Sequence, residues 1–326
     1  MVHFLAPPSS ASILDELIET KLGQNYPYWL GGAINWVVQS YLVLREYREG
    51  ISISNLPKQG QINFAHVTTW RAFPRRQGEY RVSIRADYRR LFDVDFEILQ
   101  NPTRVQTSNQ IYLPYWPIPG LLPRDEKREI VENIAYAGRI GNRNIAKSLQ
   151  SSGFYESIKG AKFCLIDKQS WHDMREVDIL IAVRDFSTRA FDNKPPSKLL
   201  NAWHAGIPLV AGYDSAFSQI GKPGIDYIRV KTEQELKLAL EKLLDDPRFY
   251  YSIVEAGKTK RGKYSHENIA KYWLQALDGP IYCDWQRKKI NPRVFTLSLS
   301  SRRVTDFILN NASTVKKKSI NMLMKK

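Results

Sequence analysis

The sequence predicts an α/β protein made of two doubly wound domains. Apolar runs of strand length alternate with longer segments of helical periodicity, which is the pattern of βα units around a parallel sheet. A proline-rich segment, LPYWPIPGLLP at 113–123, interrupts this alternation, and the same pattern then starts again. The length of 326 residues also suits two domains. We therefore expect domains at 1–120 and 130–280, followed by a tail at 281–326.

The N-terminal half contains five predicted strands and two predicted helices. The strands are expected at 2–6, 51–54, 63–67, 80–84 and 96–99. The first helix, at 12–22, places Leu14 and Leu17 on one face, and the second follows Gly31 and Gly32. Several of these strands end in polar residues, and ligands bind at such ends in doubly wound sheets.

The C-terminal half repeats the pattern with five further runs of strand length. These are NIAYAGRI, AKFCLID, VDILIAVR, IPLVAGY and DYIRV, which begin at residues 133, 161, 177, 207 and 226. Cys164 lies within one of them and is expected to be a buried thiol. Thr232 with Glu235 predicts a capping box at the start of a later helix.

Charge and composition exclude several classes of protein. The net charge is +15, but the segment from Trp285 to Lys326 holds eleven Lys or Arg and one acid. The body is therefore only mildly basic, so we expect no nucleic-acid partner. Cys164 and Cys283 have no disulfide or zinc spacing. No apolar run approaches 18 residues and the start lacks a signal pattern, so the expected location is cytoplasmic.

The most informative segment is NKPPSKLLNAWHAGIPLVAG at 193–212. Two prolines and Ser197, a candidate cap, suit the start of a helix, and glycine followed by proline suits its end. Lys198 and Asn201 are three residues apart, so they share a face, and Lys194 lies just before the helix. Free N–H groups and two ammonium groups there could hold a diphosphate. The alternative is a solvated lysine pair on an ordinary sheet helix.

This segment resembles the nucleotide-sugar-binding segment of glycosyltransferases with the two-Rossmann-domain GT-B fold, of the family 1 and family 4 types. IAYAGRI is similar to the first strand of their C-terminal domain, and INFAHVTTW to an N-terminal strand that ends on a histidine. The resemblance implies two Rossmann-like domains that face each other across a cleft. It also implies donor-binding roles for Arg139, Lys194, Lys198 and Asn201, with Lys147 or Arg143 replacing a further lysine.

The family signature has a glutamate at each end of an E-x7-E spacing, where this chain has Asn193 and Asn201. An asparagine at 201 could still bind the donor ribose. The missing first glutamate leaves the stereochemical outcome open, retaining or inverting.

On the N-terminal side the resemblance implies an acceptor site with Gly31, Gly32, His66 and Asp87. His66, at a strand end, is a candidate general base or orienting donor, and a structural histidine is the alternative. Asp87 competes for the role of base, with Arg85 as its expected partner. His172 and Asp173, with Trp171, could line a base pocket or simply begin a helix.

No metal or other cofactor is expected. Asp93 and Asp95 form a D-x-D pair, but this is a weak signal, and cations with a helix N-terminus can stabilise a leaving diphosphate without metal. The expected activity is transfer of a sugar from a nucleotide-sugar to an acceptor hydroxyl of a glycan or lipid-linked molecule, in polysaccharide, glycolipid or other glycoconjugate synthesis. A non-catalytic nucleotide- or sugar-binding module of the same fold is the alternative.

The basic tail supports two interpretations. Val304, Phe307 and Ile308 keep helical spacing beside the lysines at 316–318, which suits contact with an anionic surface at the inner membrane face. Alternatively, a terminal helix folds back on the N-terminal domain.

Overall fold

The proline-rich connector joins two parallel sheets. The computed structural model of the protein describes residues 1–138 and 145–290. Among the helices of these two stretches, none has both the length and the apolar character that a bilayer crossing requires.

The N-terminal sheet has six strands. They are β1 (Val2–Leu5), β2 (Ile51–Ser54), β3 (Ile62–His66), β4 (Tyr80–Ile84), β5 (Phe96–Leu99) and β6 (Gln110–Tyr112). They pair in parallel in the order β2-β1-β3-β4-β5-β6. β1, β3, β4 and β5 are buried along their whole length, because both faces of the sheet are covered. All five predicted strands form, and β6 is an additional strand.

Three helices accompany these strands: α1 (Leu14–Glu19), α2 (Gly32–Leu44) and α3 (Val67–Trp70). α1 is shorter than the predicted 12–22, because Ile13 has non-helical dihedral angles and the backbone of Thr20 is extended. α2 begins after Gly31 as predicted, and its inner face lies in the core against β1 and β3.

The C-terminal sheet has five strands. They are β7 (Asn133–Ala137), β8 (Lys162–Ile166), β9 (Ile179–Ala182), β10 (Leu209–Ala211) and β11 (Ile228–Arg229). They pair in parallel in the order β11-β10-β9-β7-β8. β8 is therefore an edge strand, and Cys164 on it is exposed. The prediction that this thiol is buried is wrong, since an apolar run alone does not tell an edge strand from a central one.

Five helices follow the first strand of this sheet: α4 (Ile145–Ser151), α5 (Ser197–Ala205), α6 (Ser215–Ile220), α7 (Glu233–Asp245) and α8 (Pro247–Arg261). α5 ends at Ala205, and its C-cap residue Gly206 has a φ of 72°, a left-handed conformation that favours glycine. The predicted cap of α7 forms, because Thr232 Oγ1 accepts a hydrogen bond from the N–H of Glu235 at 3.0 Å.

The connector is fastened to both domains. Gln39 of α2 donates to the carbonyl of Pro117, and the N–H of Ile118 donates to Asn201 Oδ1 on α5. Gly120 meets Gly23 so closely that a Cβ on Gly23 would lie 2.1 Å from the nitrogen of Gly120. These contacts fix the spacing of the two sheets.

The end of the described chain returns to the N-terminal domain. α9 (His266–Ala276) and α10 (Tyr282–Ile290) are joined by a turn that is kinked at Gly279. Although α9 falls in the range 130–280 that was predicted for the C-terminal domain, its buried residues, including Trp273, belong to the N-terminal core. Of the predicted tail, Ile281 ends the kinked turn and 282–290 form α10, whereas residues 291–326 lie outside the described residues.

The strand order changes direction at one point in each sheet. In the N-terminal sheet this point lies between β1 and β3, and in the C-terminal sheet between β7 and β9. In doubly wound sheets, ligands bind in the crevice beyond the carboxyl ends of the strands at such points. A ligand site is therefore expected among the residues that follow β3, β7 and β9.

Candidate active site

A cavity of about 440 Å³ lies between the two domains at these strand ends. Its volume is within the range of small-molecule sites. The N-terminal wall includes Gly32, His66 and Asp87, and the C-terminal wall includes Lys194 and Lys198. The structure thus brings together most of the predicted site residues, from positions more than 150 residues apart in the chain.

Lys198 lies in the first turn of α5, beside the end of β7. Its Nζ is 3.9 Å from the centre of the Tyr136 ring, and a Cβ on Gly138 would lie 2.9 Å from that nitrogen. Glycine at 138 therefore leaves room for the ammonium group. Burial, followed by the charge of Arg184, lowers the pKa of Lys198 to about 7, although Asp214 acts in the opposite direction.

The start of α5 has no side-chain cap. The N-cap position is held by Pro196, so the prediction that Ser197 caps this helix is wrong. Ser197 is instead the first helical residue and lines the cavity. The N–H of Leu199 donates to the Pro196 carbonyl, whereas those of Ser197 and Lys198 have no partner among the described residues, so this end of α5 favours an anion.

Lys194 and Asp87 form an ion pair across the cleft. Lys194 Nζ lies 2.6 Å from Asp87 Oδ2, and Asn193 Nδ2 donates to the backbone carbonyl of Asp87 at 3.3 Å. The expectation that Arg85 is the partner of Asp87 is wrong, because the Arg85 guanidinium lies 3.9 Å from the carboxylate of Glu97.

Arg184 also lines the cavity and was not predicted. It follows β9, and its Nε lies 2.7 Å from Oδ2 of the buried Asp214. In the sequence, Arg184 is the first basic residue after the strand VDILIAV. In the fold, this strand lies where the strand order changes, which is where ligands bind in such sheets.

Asn201 lines the cavity one turn further along α5. Its Oδ1 accepts the hydrogen bond from the N–H of Ile118 at 3.2 Å. The side chain therefore connects α5 to the connector, and its Nδ2 is the group left for a ligand. The predicted contact with a ribose hydroxyl stays a prediction.

His66 ends β3 and is buried. Its hydrogen bonds determine which ring nitrogen carries the proton. The N–H of Thr68 donates to His66 Nδ1 at 3.3 Å, and Thr68 Oγ1 lies 2.6 Å from the same nitrogen. Since a backbone N–H can only donate, the neutral ring carries its proton on Nε2. Burial lowers the pKa of His66 to about 4. Within residues 1–138 and 145–290, nothing accepts a hydrogen bond from Nε2.

The glycine pair lies at the start of α2. Gly32 lines the cavity and a Cβ there would meet no atom within 4 Å, while Gly31 occupies the N-cap position with φ −90° and ψ 124°. Neither position needs glycine for packing. The N-terminus of α2 has no side-chain cap and no acidic residue in its first turn.

Aromatic side chains cover much of the remaining cavity wall. They are Tyr26, Trp29, Trp36, Tyr88, Tyr115 and Trp171. His172 stacks on Tyr26 with ring centres 3.8 Å apart, and Asp173 is held by Arg175 at 2.7 Å. Of the three residues considered for a base pocket, only Trp171 lines the cavity.

Several predicted residues lie elsewhere. Arg139 and Arg143 fall in 139–144, outside the described residues, and Lys147 on α4 does not line the cavity. Asp95 of the D-x-D pair is fully buried, and its carboxylate accepts from Arg75 at 2.6 Å and from the N–H of Arg81 at 2.7 Å. The described stretches contain no cluster of three His, Cys, Asp or Glu side chains suited to a metal ion.

No family model and no curated protein matches this sequence. Solved structures do match the fold. TarM aligns with a TM-score of 0.52 and 9% identity, over 72% of this chain and 57% of TarM, so the chain spans little more than half of TarM's length. This similarity confirms the predicted GT-B architecture of two Rossmann-like domains.

Two further structures align with lower scores. Anabaena HepE in complex with UDP has a TM-score of 0.47 and 10% identity, over 85% of this chain and 99% of HepE. The pneumococcal O-GlcNAc transferase GtfA in complex with UDP and GlcNAc has a TM-score of 0.45 and 10% identity, over 62% of this chain and 53% of GtfA.

Proposed function

We propose that this protein is a glycosyltransferase that moves a sugar from a nucleotide-sugar to the hydroxyl of a glycan or lipid-linked acceptor. The observation that carries the proposal is the position of Arg184, Lys194 and Lys198 around the uncapped start of α5. Three basic side chains and a helix N-terminus on one cavity wall suit a diphosphate.

The opposite wall is suited to sugar rings. Tyr88, which lines the cavity and is 41% exposed, can pack its flat ring against the C–H face of a sugar, while a few polar groups fix the orientation of the sugar. His66 Nε2 is a buried donor on this wall with no partner in the described chain. It suits a hydroxyl of the transferred sugar or of the acceptor, so we assign His66 as an orienting donor.

The reaction needs one proton acceptor and one stabilised leaving group. The acceptor oxygen forms its bond to the anomeric carbon while the bond from that carbon to the phosphate oxygen breaks, and the electron pair leaves with the diphosphate. Lys194 and Lys198 neutralise the negative charge that develops there. Asp87 is our candidate to accept the proton of the acceptor hydroxyl, since His66 Nδ1 is occupied by Thr68.

We propose that this chemistry proceeds without a metal ion, because basic side chains occupy the place beside the diphosphate. The prediction is that EDTA leaves turnover unchanged. Loss of turnover in EDTA that manganese or magnesium restores would contradict it.

We also propose that the protein works in the cytoplasm, where residues 291–326 contact an anionic membrane surface and bring it to lipid-linked acceptors. Residues 291–326 hold eight Lys or Arg and one acid, which is +7 of the net charge of +15 and supports this location of the membrane contact.

The test of the proposed function is a thermal-shift screen with UDP, GDP and ADP beside uridine, guanosine and adenosine. A diphosphate should raise the melting temperature, and its nucleoside should raise it much less. Equal effects of nucleoside and diphosphate, or no effect of any of the six, would contradict the proposal. Slow release of the nucleoside diphosphate from the matching nucleotide-sugar then separates an enzyme from a non-catalytic binding module.

A further inference from the structure

The Asp87–Lys194 ion pair joins two groups that the proposed reaction uses separately. Asp87 comes from the loop after β4 and Lys194 from the loop before α5, so the pair spans the two domains. Both side chains line the cavity. While Lys194 is bound to Asp87 at 2.6 Å, that ammonium is not available to a diphosphate, and Asp87 Oδ2 is occupied by the lysine.

The loops that carry the pair are both strained. Ala86, next to Asp87, has a φ of 49°, and Phe191, whose carbonyl accepts from the N–H of Lys194, has a φ of 45°. Non-glycine residues adopt such angles rarely, and they concentrate at sites that bind or switch. Only Asn25 shares this property in the part of the chain that the structure describes.

Lys194 is also the cavity cation that can change partner most readily. The Lys194 and Asp87 side chains are 28% and 39% exposed, so solvent weakens their attraction. Arg184 is held by a carboxylate that is 1% exposed. Lys198 forms no ion pair with a described carboxylate and needs no release.

We propose that the Asp87–Lys194 pair is a gate that the donor opens. The diphosphate draws Lys194 away from Asp87, and the freed carboxylate then accepts the proton of the acceptor hydroxyl. Donor binding thereby precedes activation of the acceptor. This inference rests on the proposed function, because it requires a diphosphate in the cavity.

The experiment is a double-mutant cycle read by calorimetric binding of the diphosphate that stabilises the protein most among UDP, GDP and ADP. Asp87→Asn should tighten binding about two- to five-fold, the range for losing a competing exposed ion pair. Lys194→Gln should weaken binding. In the Lys194→Gln background, Asp87→Asn should change affinity by less than about 1.5-fold, because no gate remains.

Controls separate the gate from simpler effects. Asp278→Asn removes a carboxylate that pairs with Arg48 and does not line the cavity, so it should leave diphosphate affinity unchanged. Asp87→Ser provides a second neutral variant if Asp87→Asn melts early. The nucleoside alone should bind all variants equally.

Two outcomes would overturn the gate while the proposed function stands. The first is an equal gain from Asp87→Asn in both backgrounds, which indicates general repulsion of the anion. The second is phosphate-dependent binding by the natural protein with no gain in Asp87→Asn. Absence of phosphate-dependent binding in the natural protein would instead remove the proposed function itself.

Discussion

The ammonium group of Lys198 lies over the face of Tyr136, 3.9 Å from the ring centre, at the point where β7 ends and α5 begins. The negative face of the ring stabilises this cation, while burial and Arg184 destabilise it. Among the described residues, no carboxylate forms an ion pair with Lys198. The site therefore holds a cation that gains from the arrival of an anion.

Lys198→Ala should weaken diphosphate binding by about 1–3 kcal/mol, the range for a charge-assisted hydrogen bond, with little effect on the nucleoside. Calorimetric titration measures both affinities. Lys242→Ala is the matched control, because Lys242 also lies 3.9 Å from the centre of a ring, that of Phe249, and does not line the cavity. Equal losses for the diphosphate and the nucleoside would show that Lys198 does not contact the phosphates.

Diphosphate binding should take up protons and weaken as the pH rises from 7 to 9. The free ammonium has a pKa of about 7, and a bound anion raises that pKa, so binding above pH 7 protonates Lys198. Titration in buffers of different ionisation enthalpy gives the number of protons taken up. In Lys198→Ala the uptake and this pH dependence should disappear, and their persistence would assign them to another group.

His66→Gln should retain more turnover than His66→Ala. A glutamine amide can place an N–H near the position of Nε2, which suits an orienting donor, whereas neither variant can act as a base. The pKa of about 4 also means that His66 contributes no limb to the rate profile between pH 5 and 8. Loss of turnover to the same level in both variants would contradict the assignment as donor.

His66→Asn provides the reciprocal control. The asparagine oxygen can replace Nδ1 as acceptor of the Thr68 N–H, which keeps the cap of α3, but it places no donor near Nε2. This variant should therefore keep the melting temperature of the natural protein while it loses turnover.

The order of strands and helices could be predicted because nearly every element has an apolar pattern of its own. The residues at helix starts were predicted from patterns that span only a few positions of the chain. These residues are Lys194, Lys198 and the glycine pair. The partner of Asp87 could not be found in this way, because Lys194 is 107 positions away and is brought near by domain packing. Arg184 was missed for a related reason, since its importance depends on the order of β7 and β9 in the sheet.

Asp95 is a different case, in which a weak sequence pattern has a structural explanation. Beside Asp93 it resembles a metal-binding pair in the sequence, yet its carboxylate lies beneath the surface with Arg75 and the N–H of Arg81. Only the packing of β4 against β5 identifies it as a structural group.

Asp95→Asn should therefore destabilise the fold by about 3–5 kcal/mol, the cost of removing the charge of one member of a buried ion pair. Urea unfolding measures the loss. Diphosphate affinity at low temperature should change little, because Asp95 does not line the cavity. Asp173→Asn is the control. Asp173, which pairs with Arg175, is more exposed than Asp95, so this substitution should cost less than about 1 kcal/mol. An Asp95→Asn protein that is as stable as the natural protein would contradict the structural role of Asp95.

Removal of residues 301–326 should release the protein from anionic vesicles without loss of stability. Among the described residues of the predicted tail, α10 packs on the N-terminal domain: Asp284 accepts from Tyr80 at 2.7 Å, and Lys288 Nζ lies 3.3 Å from Asp95 Oδ1. The deletion leaves these contacts in place, so the melting temperature should not change. Each basic residue near an anionic bilayer contributes about 1 kcal/mol, and salt screens this attraction over roughly 8–10 Å.

Co-sedimentation with phosphatidylserine vesicles at increasing salt measures the attachment. A chain ending at Ile281 lacks α10 as well, and it should melt earlier because Tyr80 loses its contact with Asp284 and Asp95 loses its contact with Lys288. The two truncations therefore separate the roles: membrane attachment is lost in both, and stability only in the shorter chain. A protein without residues 301–326 that stays on the vesicles and melts early would contradict the membrane contact and favour a tail that packs on the N-terminal domain.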